Sequence, residues 1–594
     1  MLKKIFLPTI LLALAYGFWY SQNFKEIAAG VSIFLFGMLF LEQGFSAFLG
    51  GTLENILKKS TNKVYKSLSF GIVATSIMQS SSLVSVITIS FIGAGLIGLA
   101  EGIGIVFGAN IGTTTGAWLI AGFGLKVKIS AYAMPMVVFG IILVFQKTKS
   151  LKGFGYILAG LGFLFLGIHY MKDGFEAFKE TIDLSTLAVS GYHGLFIFTG
   201  IGMFATVVMQ SSHATLVLIL TALAAGQITY ENALALSIGA NVGTTITAII
   251  GSMSSNIQGK RLAGAHLIFN LVTALIAIGF IHQLMNIVDL TSEFIGISQS
   301  DWTLKLALFH TYFNLIGVLI MTPMIPILVN LLTKLLKEPV ETVSYSKPKY
   351  LGDDVQEFPI AAIAALKKEC DNLYEHSFEV LAHALNLNRK DIRSYKPMGE
   401  IVKLSTDNMT LNIDELYKTK VKSLYDAIVE FSTKAQVNMT PEEIKRTYEL
   451  QTAARDVVNA VKGMKELEHN IHKYSSHSNN VIKEEYNLLR ELLGKLLRKV
   501  EQMRKNPNEE DLLFKFVLIR KNIEDFDEQI NKTVDELIRS NKISVSMASS
   551  LMNDSGYLHN IGINIIGFIE ILYIKENETL SIMYDELLSE DLEN

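Results

Sequence analysis

The chain is predicted to be all α-helical, a polytopic membrane domain built of inverted repeats followed by a cytoplasmic antiparallel helical bundle. Three observations predict this. Long uncharged stretches are confined to residues 1–349, two polar motifs recur there at a fixed offset, and residues 350–594 carry apolar residues at helical spacing. Residues 1–349 hold 21 Lys+Arg and 14 Asp+Glu, residues 350–594 hold 31 and 42, and 37 of the 44 glycines fall in the first part. Glycine mixed with apolar residues is a membrane-helix composition, so a soluble enzyme along the whole chain is excluded. The single cysteine, Cys370, permits neither an intramolecular disulfide nor a Cys-based zinc cluster. A net charge of -4 is not the basic balance that nucleic acid demands.

A hydrocarbon core of ~30 Å requires a helix of about 18 or more predominantly apolar residues. Uncharged stretches of that length cover residues 67–100, 102–125, 129–146, 153–171, 184–230, 232–259, 262–288 and 306–333. Residues 5–20 and 27–41 are shorter runs that could span if thinly flanked. The first of these, behind Lys3-Lys4, is read as an uncleaved span rather than a signal peptide cut at Ala13-Leu14-Ala15, because so polytopic a chain needs no separate signal. Short cytoplasmic loops retain Lys and Arg. Lys3-Lys4, the loops with Lys58, Lys59, Lys63 and Lys66 and with Lys147, Lys149 and Lys152, the pair Lys260-Arg261, and Lys334 with Lys337 are therefore placed inside. The acidic loop 172–183 and the Lys/Arg-free loop 284–301 are placed outside, with Lys126 and Lys128 as the exception. Both the N-terminus and the acidic C-terminal part then lie in the cytoplasm.

Self-comparison shows the repeat. At an offset of 130, Phe36-Gly37 and Gly44-Phe45-Ser46-Ala47-Phe48 match Leu166-Gly167 and Gly174-Phe175-Glu176-Ala177-Phe178. At 131, Met78-Gln79-Ser80-Ser81 matches Met209-Gln210-Ser211-Ser212, and Gly108-Ala109-Asn110-Ile111-Gly112-Thr113-Thr114 matches Gly239-Ala240-Asn241-Val242-Gly243-Thr244-Thr245. Gln to Asn is 31 residues in both copies. The copies span about residues 28–146 and 155–283. The element at 27–49 runs into a basic, inside loop and its copy at 155–178 into an acidic, outside one, so the repeats are inverted, as in many secondary transporters.

Gln79, Ser80, Ser81 and Ser82 place an amide and three hydroxyls inside 34 uncharged residues, where unpaired polar groups are costly. A helix broken there would turn N-terminal N–H groups and Ser hydroxyls onto an anion, while unwound carbonyls offer oxygen ligands to a small cation. The Gly-Ala-Asn-x-Gly-Thr-Thr copies suit a second broken element beside the first. The only Arg in residues 1–349 is Arg261, at a predicted loop, so a dianion would be held by neutral donors and bound cations would supply the missing charge. His213, in the place of the third Ser, either donates to an anion, senses pH, or packs as a hydrogen-bonded histidine. His266 with Asn270 and His310 with Asn314 each form His-x-x-Phe-Asn, an i,i+4 pair expected to make interhelical hydrogen bonds. Glu42, Glu101 and Glu231, at edges of apolar runs, are expected to be interfacial caps.

Paired Gln-Ser-Ser motifs, each followed by Gly-Ala-Asn-x-Gly-Thr-Thr, resemble the type II sodium/phosphate cotransporter family in its bacterial form, over roughly residues 28–335. The resemblance implies re-entrant hairpins flanking an inorganic phosphate in a carrier of the bacterial inner membrane, with sodium as coupling ion and no other cofactor. It nominates Gln79, Ser80, Ser81, Ser82, Gln210, Ser211 and Ser212 for phosphate and Asn110, Thr113, Thr114, Asn241, Thr244 and Thr245 for sodium; His213 joins the phosphate set only as the donor that stands in the third Ser's place. His213 departs from the family's Gln-Ser-Ser-Ser form.

Residues 338–356, with Pro339 and Pro348, are read as a linker. Beyond it, residues 357–594 have few glycines, and Leu488, Leu489, Leu492, Leu493, Leu496 and Leu497 recur along one helical face. Breaks at Pro397, Pro441 and Asn506-Pro507-Asn508 separate long amphipathic helices with no long apolar run among them. This part resembles the PhoU-type domain of bacterial members of the family, which implies regulation and a cytoplasmic signalling partner. Glu369, Asp371 and Glu375 could ligate metal, but solvated helix faces are the simpler reading. No nucleophile or Walker loop supports an enzyme. A phosphate-sensing receptor and a carrier of another oxyanion or a carboxylate are the alternatives; a homo-oligomer is compatible with either.

Overall fold

The computed structural model describes residues 2–49, 56–57, 63–125, 130–179, 188–338, 346–405, 413–507 and 510–592. They form two compact units, Met1–Glu338 and Pro339–Asn594. Regular structure among them is all helical, as the sequence predicts. Lys58, Lys59, Lys126, Lys128, Glu180, Asp183 and Pro339 lie outside the described residues.

The first unit runs α1 (Leu2–Tyr20), α2 (Gln22–Leu49), α3 (Val64–Met78), α4 (Ser81–Gly93), α5 (Leu99–Leu119), α6 (Ser130–Val144), α7 (Lys149–Lys179), α8 (Gly191–Met209), α9 (Ser212–Ala224), α10 (Tyr230–Ser252), α11 (Ile257–Gly279), α12 (Ile281–Phe294), α13 (Trp302–Met321) and α14 (Ile325–Leu335). Helices long and apolar enough to span include Gln22–Phe45, Leu99–Gly122, Lys149–Phe178, Gly191–Met209, Tyr230–Ser252, Ile257–Gly279 and Trp302–Met321. This is a multi-pass membrane protein. Residues 67–100 fold as two helices of 15 and 13 residues, each about 20 Å long and too short to cross the hydrocarbon core. Residues 262–288 and 306–333 likewise divide between successive helices. Arg261 is not in a loop. It lies inside α11, 5% exposed, and donates through Nε and Nη2 to Leu336 O (3.0 and 2.7 Å), satisfying an orphan carbonyl at the end of α14.

Glycine brings equivalent helices together and reveals their symmetry. A Cβ on Gly30 would lie 2.8 Å from Gly167 O, and one on Gly167 2.7 Å from Gly30 O. Gly37 and Gly160 approach mutually in the same way, each Cβ 2.8 Å from the other's carbonyl oxygen. At an offset of 130 Gly30 corresponds to Gly160 and Gly37 to Gly167. Each contact is therefore the other's image, the signature of a two-fold operator. Contacting residue numbers rise along α2 as they fall along α7, so these two equivalent apolar helices run antiparallel and the repeats are inverted. Within each repeat the hairpin's first arm packs on the following long helix through matched glycines: Gly71 on Ile105 and Gly108 on Leu68, then Gly202 on Leu236 and Gly239 on Thr199.

The second unit is a bundle of α15 (Pro359–Ala384), α16 (Met398–Leu404), α17 (Ser423–Ala435), α18 (Pro441–Ser475), α19 (Asn480–Lys505), α20 (Glu510–Arg539), α21 (Val545–Ile569) and α22 (Glu578–Leu592), with short helical segments at Arg389–Ile392, Ile413–Leu416 and Tyr417–Lys422. Contrary to the reading that this part has no long apolar run, Val545–Ile574 is long and apolar enough to span. It packs against α18, α19 and α20 and buries Asp554, whose Oδ2 accepts the Tyr486 hydroxyl at 2.5 Å. An apolar surround that serves lipid-facing helices elsewhere here serves a central position in a bundle.

Of the three carboxylates read as solvated faces, Glu369 is buried, whereas Asp371 and Glu375 are half-exposed and ion-paired. Glu369 accepts the Lys349 and Tyr350 amides (2.8 Å each) and so ties the linker to α15. Asp371 accepts a bidentate Arg504 fork at 2.8 and 2.9 Å, and Glu375 accepts from Arg393 and Arg504. Among the described residues no group of three His, Cys, Asp or Glu side chains could hold a metal.

Arg490 is 1% exposed and donates to Leu385 O, Asn386 O, Val402 O and Ser405 O at 2.9–3.4 Å. Leu385 and Ser405 cap the C-terminal ends of α15 and α16, where the helix dipole is negative, so the buried cation is balanced by carbonyls. Burial lowers its pKa to about 10, and it stays charged at neutral pH. Arg490→Met should destabilise the bundle by ~3 kcal/mol, because several buried carbonyls lose their donor. Urea unfolding of the detergent-solubilised chain measures this.

Candidate functional site

Each hairpin turns at a glutamine in a conformation that disfavours it. Gln79 ends α3 with φ 54° and ψ 22°, and Gln210 ends α8 with φ 51° and ψ 24°. Left-handed backbone at a non-glycine residue carries strain, and its exact recurrence at equivalent positions points to a site. The next residue is extended and caps the second arm: Ser80 Oγ accepts the Leu83 amide at 3.3 Å, and Ser211 Oγ accepts the Ala214 amide at 3.1 Å. Ser81 and Ser212 open α4 and α9. Both hairpins therefore present a helix N-terminus, with its partial positive charge, at their tips.

The two tips share one cavity of ≈ 30 Å³, lined among others by Gln79, Ser80, His213, Phe34, Met38 and Glu42. That volume is room for about one water, too little for a tetrahedral oxyanion. Gln79 Nε2 donates to Ser76 O (2.5 Å) and Thr115 Oγ1 (3.0 Å). His213 is buried and stacks on Phe34, with ring centroids 5.9 Å apart at 16°. Ser82 Oγ lies 3.4 Å from Thr247 Oγ1, linking the first hairpin to α10 of the other repeat. Ser211 Oγ also contacts Met38 Sδ at 3.8 Å. Gln210 is exposed and makes no hydrogen bond among the described residues. Gln79, Ser80 and His213 are thus brought together, Ser82 and Ser211 bridge to neighbouring helices, and Gln210 stands apart.

The second motif does not break its helix. α5 and α10 run without interruption through both Gly-Ala-Asn-x-Gly-Thr-Thr copies. Their glycines serve close packing: a Cβ on Gly112 would lie 2.7 Å from Ile72 O, and one on Gly243 2.7 Å from Met203 O. The hydroxyl protons bond back along the helix, Thr113 to Ala109 O, Thr114 to Ile111 O, Thr244 to Ala240 O and Thr245 to Val242 O. Asn110 Nδ2 donates to Val106 O at 2.8 Å. Asn241 instead donates to Asn314 Oδ1 at 2.8 Å, and its Oδ1 lies 3.1 Å from His310 Nε2, an interhelical network between α10 and α13. The equivalent pair on α11 stays local, Asn270 Nδ2 donating to His266 O.

Glu42 is the residue that sequence reasoning placed wrongly: it lines the cavity rather than capping an interface. Its signal was a carboxylate six positions after Phe36 within the repeated segment, with no basic partner nearby in sequence. Glu231 does act at a helix end, its Oε1 accepting the Gly191 amide at 3.3 Å, and Glu101 lies in the first turn of α5, where the dipole favours it.

A profile of the Na+/Pi-cotransporter family matches residues 33–173 and 186–306. The chain is 26% identical over 346 residues to a Salmonella typhimurium protein named "Putative inorganic phosphate export protein YjbB", and 25% identical over 346 residues to its Escherichia coli K12 namesake. Each of these matches takes in 58% of this chain and 61% of the relative. It is also 27% identical over 303 residues to the uncharacterized Bacillus subtilis protein YqeW, half of this chain and 94% of the relative. The chain thus spans about three fifths of the length of the first two relatives. No solved structure matches.

Proposed function

Because the membrane unit of this chain belongs to the Na+/Pi-cotransporter family, we propose that the protein carries inorganic phosphate across the bacterial inner membrane, coupled to sodium. One observation carries this reading: both hairpins turn at an equivalent left-handed glutamine into a serine-capped helix N-terminus, and Gln79 and Ser80 of one tip and His213 of the other line the same cavity. Phosphate is held there by N–H groups and by Gln79, Ser80, Ser81, Ser82, Gln210, Ser211, Ser212 and His213, with no Arg or Lys among them. Low dielectric makes an uncompensated dianion costly, so sodium bound near Asn110, Thr113, Thr114 and their copies Asn241, Thr244 and Thr245 neutralises the load. The unbroken helices leave those side-chain oxygens, each with a spare lone pair, as the ligands offered. Alternating access is the parting of one hairpin and then the other, the motion the inverted build favours. The acidic bundle is a regulatory domain on the cytoplasmic side, tied to the linker through Glu369.

Labelled phosphate flux into proteoliposomes tests the reading, with an inward sodium gradient and with potassium in its place. Flux at least tenfold higher with sodium is expected. Equal flux in potassium would remove sodium coupling, and no flux with retained phosphate binding would make the protein a receptor.

A further inference from the structure

α11 and α13 are both long and apolar enough to span, so the segment that joins them lies at a membrane face. It holds α12, whose 14 residues reach about 21 Å and are too few to cross the hydrocarbon core. Leu290 and Phe294 of α12 are 69% and 90% exposed, apolar side chains of the kind that a helix in the interface turns into the acyl region. The exposed Trp302 opens α13, where a span begins and aromatic belts form.

This segment carries an open cavity of ≈ 810 Å³, lined among others by Asn286, Asp289 and Glu293 of α12 and by Trp302 and Lys305 of α13. None of its lining residues lines the cavity at the hairpin tips. Asn286, Asp289 and Glu293 recur at helical spacing and share one face of α12. Lys305 is the one basic residue among the described residues of the lining, and it is already engaged. Its Nζ donates to Asp289 Oδ1 at 2.7 Å and lies 4.9 Å from the Trp302 ring centroid. Two carboxylates one turn apart therefore share a single buried ammonium, and Glu293 stands exposed as the surplus negative charge. Like charges at i,i+4 repel, and a bound cation relieves them.

The chemistry of the lining narrows that cation. Residues 284–301 hold Asp289, Glu293 and Asp301 and no Lys or Arg, so the anionic headgroups that basic clusters attract find no match. Among the described residues no group of three His, Cys, Asp or Glu side chains could hold a metal ion. A quaternary ammonium wants open aromatic faces, but the Trp302 ring already meets Lys305 and the Tyr230 ring, the latter at 5.0 Å between centroids. A primary ammonium suits the site, because carboxylates accept its N–H groups in short, charge-assisted hydrogen bonds.

We propose that this cavity binds the headgroup of a phospholipid bearing a primary ammonium, of the phosphatidylethanolamine kind, with its acyl chains passing over Leu290 and Phe294. The ammonium donates to Glu293 and Asp289, and the phosphodiester stays at the rim, where Gln299 and Ser300 offer neutral donors. Thr291 Oγ1 and Tyr312 Oη, 2.8 Å apart, join α12 to α13, and Tyr230 opens α10. Bound lipid thus steadies the corner where α10, α12 and α13 meet. This goes beyond the phosphate reading and does not depend on it.

The test is thermal unfolding of the full chain in detergent, wild type and Glu293→Gln, with added phosphatidylethanolamine, phosphatidylcholine, phosphatidylglycerol or glycerophosphoethanolamine. Phosphatidylethanolamine should raise Tm more than the other three, and Glu293→Gln should need about tenfold more of it for the same rise. An unchanged response in Glu293→Gln would overturn the site. Phosphatidylcholine as effective as phosphatidylethanolamine would overturn the primary ammonium, and phosphatidylglycerol as effective would overturn recognition by charge. An equal rise with glycerophosphoethanolamine at the same concentration would overturn the lipid in favour of a soluble headgroup. Native mass spectrometry of the same samples should show phosphatidylethanolamine retained by the wild type and lost from Glu293→Gln, and equal retention by both would contradict the assignment of Glu293.

Discussion

Alanine at Gln79 is expected to remove most phosphate flux while leaving the protein folded. The Gln79 side chain has two tasks: its Nε2 holds the corner between α3 and α4 against Ser76 and Thr115, and the residue lines the cavity. Truncation leaves both the Thr115 hydroxyl and the substrate short of a partner, a loss of ~1–3 kcal/mol, which weakens binding roughly five- to 150-fold. Gln210→Ala should cost comparable flux for a different reason. Its side chain makes no hydrogen bond among the described residues, so it is available to the substrate when the hairpins move. The backbone at both positions has positive φ, and alanine tolerates that no better than glutamine, so Gln210→Ala should change stability little and Gln79→Ala should lose only what its hydrogen bonds to Ser76 and Thr115 supply. Flux and monodispersity measured on the same preparations separate a binding defect from misfolding. Full flux in either variant would place the anion elsewhere.

Valine at Gly71 or Gly202 is expected to prevent stable assembly of the membrane unit. A Cβ there would lie 2.0 Å from Ile105 O or 2.1 Å from Leu236 O. Both obstacles are backbone, so no rotamer change relieves them and the hairpin arm must leave its long helix. Overpacking in a close-packed interior typically costs ~1–3 kcal/mol, and this case should reach or exceed the upper figure because main chain must shift. Alanine at Gly200 or Gly279, where nothing lies within 4 Å, is the contrast: it should be neutral or mildly stabilising. Size-exclusion profiles and Tm in detergent report both outcomes. Normal Tm in Gly71→Val and Gly202→Val would mean that the interlocked glycines do not set the helix spacing.

Much of this architecture is legible in the sequence because symmetry writes the same constraint twice. The offsets of 130 and 131 relate glycines that the structure pairs across α2 and α7, and the opposite charge of the flanking loops already implied inversion. The hairpin corners fall on the repeated glutamines, since polar residues inside an apolar run have to be satisfied by a break or by a neighbour. What was misread follows from chemistry with two uses. Glycine beside Asn and Thr can break a helix or let one pack closely, and Gly108, Gly112, Gly239 and Gly243 do the second. A long apolar run can meet lipid or the centre of a bundle, and Val545–Ile574 meets the bundle. Glu42 was misplaced because only tertiary register brings it to the cavity at the hairpin tips.

Equilibrium binding of labelled phosphate to the purified full chain, in sodium, tests most directly whether both hairpins build one site. The account predicts one phosphate per chain in the wild type, severe loss of affinity in Gln79→Ala and in Gln210→Ala, and saturation at no more than one site in any variant. Two phosphates per chain, with half of the binding intact in each single variant, would mean that each hairpin holds its own anion and would contradict it.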